Sequence, residues 1–191
     1  VESTFGYRVV KNLDVAAKLK LESQMMPYYP ANTRKFTSNC LAPFDANASI
    51  GLNYKPSLGN FKIEIYLAPL SAYNFRYVHY EDLAVALGIA EDNRFKVGKG
   101  WARHDFGTQL VVTIPTYKIT SFLDVWSRLE YYTNYQRAFF QWETKFDVTL
   151  NKYLTASVMV HSRFDDSVIE DVEYGFWQLK ELFTLGVAYS W

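Results

Sequence analysis

The sequence predicts an all-β chain, an antiparallel up-and-down transmembrane β-barrel in which residues 1–191 form a single domain. Three observations predict it. Apolar and polar residues alternate with a period of two in nine separate runs, which puts one set on each face of a strand. Aromatic residues make up 18% of the chain, with fifteen Tyr, fourteen Phe and five Trp, and membrane barrels gather such residues in girdles at the two lipid–water interfaces. The connections between runs are alternately short and long, as in barrels with tight periplasmic turns and longer outer loops.

The runs follow one another along the chain. Residues 1–10 set Phe5, Tyr7 and Val9 against Glu2, Thr4 and Arg8, and residues 13–22 set Leu13, Val15, Ala17, Leu19 and Leu21 against Lys18, Lys20 and Glu22. In 46–54 the even positions are Ala46, Ala48, Ile50, Leu52 and Tyr54, opposed to Asn47, Ser49, Gly51 and Asn53. Residues 61–67 oppose Phe61, Ile63, Ile65 and Leu67 to Lys62, Glu64 and Tyr66. The run 106–116 presents Phe106, Leu110, Val112 and Ile114 on one face, and 122–132 presents Leu123, Val125, Leu129 and Tyr131 against Asp124, Arg128 and Glu130. Residues 140–150 alternate most clearly, with Phe140, Trp142, Phe146, Val148 and Leu150 facing away from Gln141, Glu143, Lys145, Asp147 and Thr149. In 154–164, Ala156, Val158, Val160 and Phe164 oppose Thr155, Ser157, His161 and Arg163, and residues 176–191 close the chain.

Connections are short at 10–14, 56–60, 117–121 and 151–153, long at 23–45, 78–105 and 165–175, and intermediate at 133–139. The last strand is expected to run towards the periplasm, which places every short turn on that side. Pro56-Ser57-Leu58-Gly59-Asn60 has turn chemistry, since Pro presets φ and Gly and Asn accept left-handed conformations. Within 80–89, Leu83, Ala84, Val85 and Leu87 suit a short helix packing a loop. Met25, Met26, Tyr28 and Tyr29 are expected at the upper aromatic rim, and Cys40 as a free thiol.

Composition excludes several classes. A formal charge of +0 leaves no bulk attraction for nucleic acid. One cysteine cannot build an intramolecular disulfide framework, and no apolar run approaches the ~20 residues of a membrane-spanning helix. A soluble antiparallel sandwich or a lipocalin-like carrier would also alternate, so that reading stays open beside the membrane one.

The terminal strand carries the sharpest local signal. Thr184, Gly186, Tyr189 and Trp191 resemble the β-signal by which the barrel-assembly machinery recognises its clients, through pairing of an unpaired strand edge. Glu181 shares the outward face and is expected near the outer interface. The opposite, polar faces bring charges inward, among them Lys62, Glu64, Arg128, Glu130, Glu143, Lys145, Asp147 and Arg163. Both signs are interspersed, whereas an ion-selective constriction shows one. Paired charges filling a narrow or plugged lumen are therefore expected.

Candidate chemistry is sparse. His161 faces inward, and a barrel enzyme acting on lipid or peptide could use it as a general base, but no single nucleophile stands out. His104 and Asp105 are adjacent in a strand and so face opposite ways. Arg94, Lys96, Lys99 and Arg103 form a basic outer stretch able to meet lipopolysaccharide phosphates. Asp165, Asp166, Glu170, Asp171 and Glu173 crowd another outer loop without the spacing of a calcium loop. No cofactor or metal is expected.

Residues 46–78, ANASIGLNYKPSLGNFKIEIYLAPLSAYNFRYV, resemble a Bacteroidota family of outer-membrane barrel proteins known only as a domain of unknown function. The likeness continues in Leu83-Ala84, Leu87-Gly88-Ile89, Asn151-Lys152-Tyr153-Leu154 and Phe164-Asp165-Asp166, and covers most of the chain. It implies a bacterial outer-membrane location, contact with outer-membrane lipid and lipopolysaccharide, and no catalytic residues. Family members carry strands ahead of the part matching Val1. An odd number of runs points the same way, since bacterial barrels have even strand numbers, and a parent barrel of about ten to fourteen strands is expected. A non-enzymatic structural, assembly-related or narrow-transport component, porin-like and able to form one part of a larger membrane complex, is the leading expectation.

Overall fold

In a computed structural model, residues 1–23, 25, 42–59, 61–86, 89, 94–166 and 176–187 are described. The alternating runs form β1 (Glu2–Val10), β2 (Leu13–Ser23), β3 (Phe44–Tyr54), the short β4 (Ser57–Leu58) and β5 (Phe61–Lys62), and β6 (Glu64–Val78). After helix α1 (Glu81–Ala86) come β7 (Arg94–Val97), β8 (Gly100–Lys118), β9 (Leu123–Thr133), β10 (Ala138–Asn151), β11 (Leu154–Asp165) and β12 (Trp177–Val187). The fold is all-β, antiparallel and up-and-down. One sheet runs β1-β2-β3-β6-β8-β9-β10-β11-β12, every neighbour in chain order, while β4 and β5 make a separate small hairpin.

The sheet is rolled. Arg128 on β9 reaches Glu2 on β1 at 3.0 Å, although the two strands lie five places apart in the sheet. Strands are spaced ~4.8 Å apart, so a flat sheet would separate them by roughly 24 Å. Only a curved wall brings these side chains together. Nine antiparallel strands leave β1 and β12 running in the same direction, and no ladder joins them among the described residues. Every residue of β12 is exposed, on both faces.

The two faces of the wall have inverted polarity. Phe5, Tyr7, Ile50, Phe106 and Phe183, all on the convex face, are more than 60% exposed, while Ser49, Asn53, Arg103, Asp105, Gln109 and Glu130, on the concave face, are buried. Two outward polar residues, Ser127 and Thr144, satisfy each other. Ser127 and Thr144 hydroxyls lie 2.9 Å apart, and the Trp142 indole N–H donates to Ser127 Oγ.

Strand boundaries depart from expectation at the start of β8 and between β9 and β10. β6 runs to Val78, where the next connection was expected to begin, and two extra residues bulge out of it between Ala68 and Ala72. There Leu70 adopts φ 56°, and Gly51 on β3 leaves room for the Leu67 carbonyl and Ala68 at the start of the bulge. β8 begins at Gly100 because β7 pairs with it above the point where β9 ends, forming a raised hairpin. β9 and β10 extend towards each other, so 134–137 is as short as 119–122. The strict short–long alternation of connections does not hold at that position. Helix α1 packs Leu83 and Ala84 with Ala42, Val78 and Ile89 over the end of the wall, and Val85 is exposed. Met26, Tyr28, Tyr29, Cys40, Leu87, Glu170, Asp171 and Glu173 lie outside the described residues.

Candidate functional site

The enclosed face of the wall has two halves of different chemistry. Near the tight turns it is filled. Tyr66 points inward and is 1% exposed, packed with Ala16, Ala68 and Val111. Small residues on neighbouring strands leave the volume that a phenol ring needs. The Tyr66 and Ser49 hydroxyls are 2.9 Å apart, and Tyr66 donates to the Ala16 carbonyl at 3.5 Å. Lys18 Nζ lies 4.2 Å from the ring centre, a cation–π contact.

Further along, an ionic chain crosses from wall to wall. Arg128 donates through both terminal nitrogens to the Glu2 carboxylate, at 3.0 and 3.3 Å, a paired geometry that fixes orientation as well as distance. Arg128 also meets Glu130 at 3.6 Å, Glu130 meets Lys20 at 3.6 Å, and Lys20 meets Glu22 at 3.1 Å. Gln109 donates to Glu130 at 3.1 Å. Alternation places all of these on one face, and curvature makes them neighbours.

Towards the longer connections the interior opens into a cavity of about 150 Å³. Three arginines of its wall are matched with aspartates, as burial of ions favours. Arg76 meets Asp45 at 2.6 Å, Arg103 meets Asp105 at 3.1 Å and Arg163 meets Asp165 at 3.0 Å. Asn134 donates to Asp105 at 3.0 Å, and the Ala138 amide donates to Asp166 at 2.8 Å.

Of the charges expected inside, Arg128, Glu130, Glu143 and Arg163 line the concave face, Arg128 against Glu130 and Glu130 and Arg163 at the cavity. Lys145 and Asp147 pair at 2.9 Å nearer the tight turns, with Ser157 donating to Asp147. Glu64 is half exposed and meets Lys55 at 3.6 Å. Lys62 is displaced from its expected place, because it sits on the separate β4–β5 hairpin and is exposed. Arg103, expected in an outer basic stretch, is an inward residue of β8 and 5% exposed. Thr184 and Gly186 lie on the inward-facing positions of the edge strand β12, opposite Ser157 and Thr155. Tyr189 and Trp191 lie outside the described residues.

His161 faces Glu143 at 3.8 Å, and Gln141 donates to that same carboxylate at 2.8 Å. His104 is on the convex face against Phe95 and Tyr73. Arg76, Asp45, Tyr132 and Arg137 were not singled out by sequence reasoning. Arg76 and Asp45 are paired across strands 31 residues apart, so no local pattern marks them. Continuing the alternation upward from residues 67 and 132 would have placed Arg76 and Tyr132 inside. Comparison with protein-family models, with curated proteins and with solved structures finds no match for the chain.

Proposed function

We propose that this chain is an integral outer-membrane β-barrel protein whose interior is blocked by its own side chains, a non-enzymatic structural, assembly-related or narrow-transport component. The inverted polarity of the rolled sheet carries this reading. A soluble sheet buries its apolar face and exposes its polar one; here Ile50, Phe106 and Phe183 are exposed while Arg103, Asp105 and Glu130 are enclosed. Lipid is the solvent that favours such an arrangement. Tyr66 and the Glu2–Arg128–Glu130–Lys20 chain occupy the interior that a pore would need open. Closure of the barrel takes an odd number of further antiparallel strands between β12 and β1, because those two edges run in the same direction.

With this reading come contact with outer-membrane lipid and lipopolysaccharide, delivery by the barrel-assembly machinery through the terminal strand, and kinship with the Bacteroidota barrel family. The test is reconstitution. The protein is expected to fold only with detergent or lipid, to resist extraction from vesicles by carbonate, and to give no large stable conductance in planar bilayers. A monodisperse folded monomer in plain buffer would overturn the membrane reading. Steady nanosiemens conductance would overturn the blocked interior.

A further inference from the structure

We propose that the cavity at the long-connection end of the interior binds a small solute through an oxyanion group, carboxylate or phosphate, seated on Arg137. The acidic side chains of the wall are already committed: Asp45, Asp105 and Asp165 to arginines, Glu22 and Glu130 to Lys20, and Asp166 to the Ala138 amide. Arg137 is a wall cation with no acidic partner among the described residues, and its Nη1 is buried without a hydrogen bond. Two further wall groups share that condition, the Tyr132 hydroxyl and Arg163 Nε. All three can donate. Buried donors left unmet are costly, and a group rich in acceptors is the chemistry that would satisfy them. Two arginines and a phenol meet an oxyanion with charge-assisted hydrogen bonds.

Size and shape agree. A cavity of about 150 Å³ matches engineered cavities of similar volume that hold benzene, so a solute of roughly six heavy atoms fits. Below it, Tyr66 and the ionic chain fill the interior, so the space does not continue towards the tight turns. Its wall is built mostly from inward side chains of the strands, with the turn residues Asn134, Arg137 and Asp166 at its end. The site therefore stands whatever solvent meets the convex face, and a chain that proved soluble would be titrated in the same way.

The test is calorimetric titration of the folded chain with inorganic phosphate and, separately, with succinate, at constant ionic strength made up with chloride. Saturable binding of at least one anion is expected, and which one saturates identifies the group. Arg137→Gln should weaken it tenfold or more, Tyr132→Phe several-fold, and Arg8→Gln not at all, since Arg8 lies on exposed β1 with its side chain 78% exposed. Absence of saturable heat with both anions would overturn the proposal, as would equal affinity in wild type, Arg137→Gln and Tyr132→Phe. If Arg137→Gln does not fold, Tyr132→Phe decides alone, because it removes one oxygen and leaves the packing intact.

Discussion

Placing a charge on the convex face measures what that face touches. Val158 sits on β11, with ladder partners on both sides, opposite Phe146 on β10 and Phe183 on β12. It points outward and is 37% exposed. In water, Val158→Arg adds a charge to a partly open surface and should change stability by no more than about 0.5 kcal/mol. In a bilayer the same change near the midplane should cost about 2–4 kcal/mol, falling to about 0–1 near an interface. Leu150, one residue from the end of β10 at a tight turn and 55% exposed, supplies the interfacial control. The folding constant should therefore drop by about 30- to 700-fold for Val158→Arg, at a tenfold change for each 1.4 kcal/mol, and by about fivefold or less for Leu150→Arg. Urea titration in phosphatidylcholine vesicles, followed by tryptophan fluorescence, reads both. Equal and small effects at the two depths would refute the claim that hydrocarbon covers the convex face.

The interior yields further expectations. Tyr66→Ala should lower stability by about 3–5 kcal/mol, the range for deleting a buried aromatic ring, whereas Tyr66→Phe loses a hydroxyl bonded to Ser49 and should cost about 1 kcal/mol; the same urea titration separates them. A Cβ at Gly107 would run into the Thr133 carbonyl, while one at Gly6 would find its nearest atom at 3.9 Å, so Gly107→Ala should cost about 1–3 kcal/mol and Gly6→Ala much less, each read from the unfolding midpoint. A double-mutant cycle on Glu2→Gln and Arg128→Gln should give coupling near 0.2–1 kcal/mol, because both side chains retain about a third of their exposure. Zero coupling would show that the wall-to-wall contact is not made in solution.

The strands with uninterrupted alternation were readable directly. From 140–150 and 154–164, the pairs Phe146–Val158 and Val148–Ala156 follow, because a period of two and a tight turn leave one register with the apolar rows together. Reading failed where the ladder is irregular. Two inserted residues around Pro69 and Leu70 leave a stretch without alternation, so no face was assigned beyond residue 67 and Arg76 was not placed, although the next connection was expected at 78, where β6 ends. The β7–β8 hairpin hid the start of β8 for a different reason: Gly100 to Asp105 reads Gly-Trp-Ala-Arg-His-Asp, which has the charge of a loop and the register of a strand. Lys62 followed the alternation of its neighbours on paper, but the Ser57–Lys62 hairpin pairs with itself and leaves the main wall. The cavity was not readable at all. Its walls come from seven strands, and which charges meet depends on curvature, a property of the whole sheet.

The division of the interior into a packed half and an open half constrains what kind of transport the protein could perform. A conducting path needs open space along its whole length, yet the tight-turn half holds the buried cluster of Ala16, Ala68, Val111 and the Tyr66 ring, with the Lys145–Asp147 pair on the same face. These belong to strands, and Tyr66 is held by Ser49, Ala16 and Lys18 on two other strands. Opening a passage would mean breaking those contacts and moving a strand-borne side chain into a space already packed, which a swinging loop does not require. The open half, by contrast, is lined mostly by polar side chains. A solute held there meets the ionic chain and the packed Tyr66 cluster below it, so the geometry suits recognition at the long-connection end better than flow between the two ends.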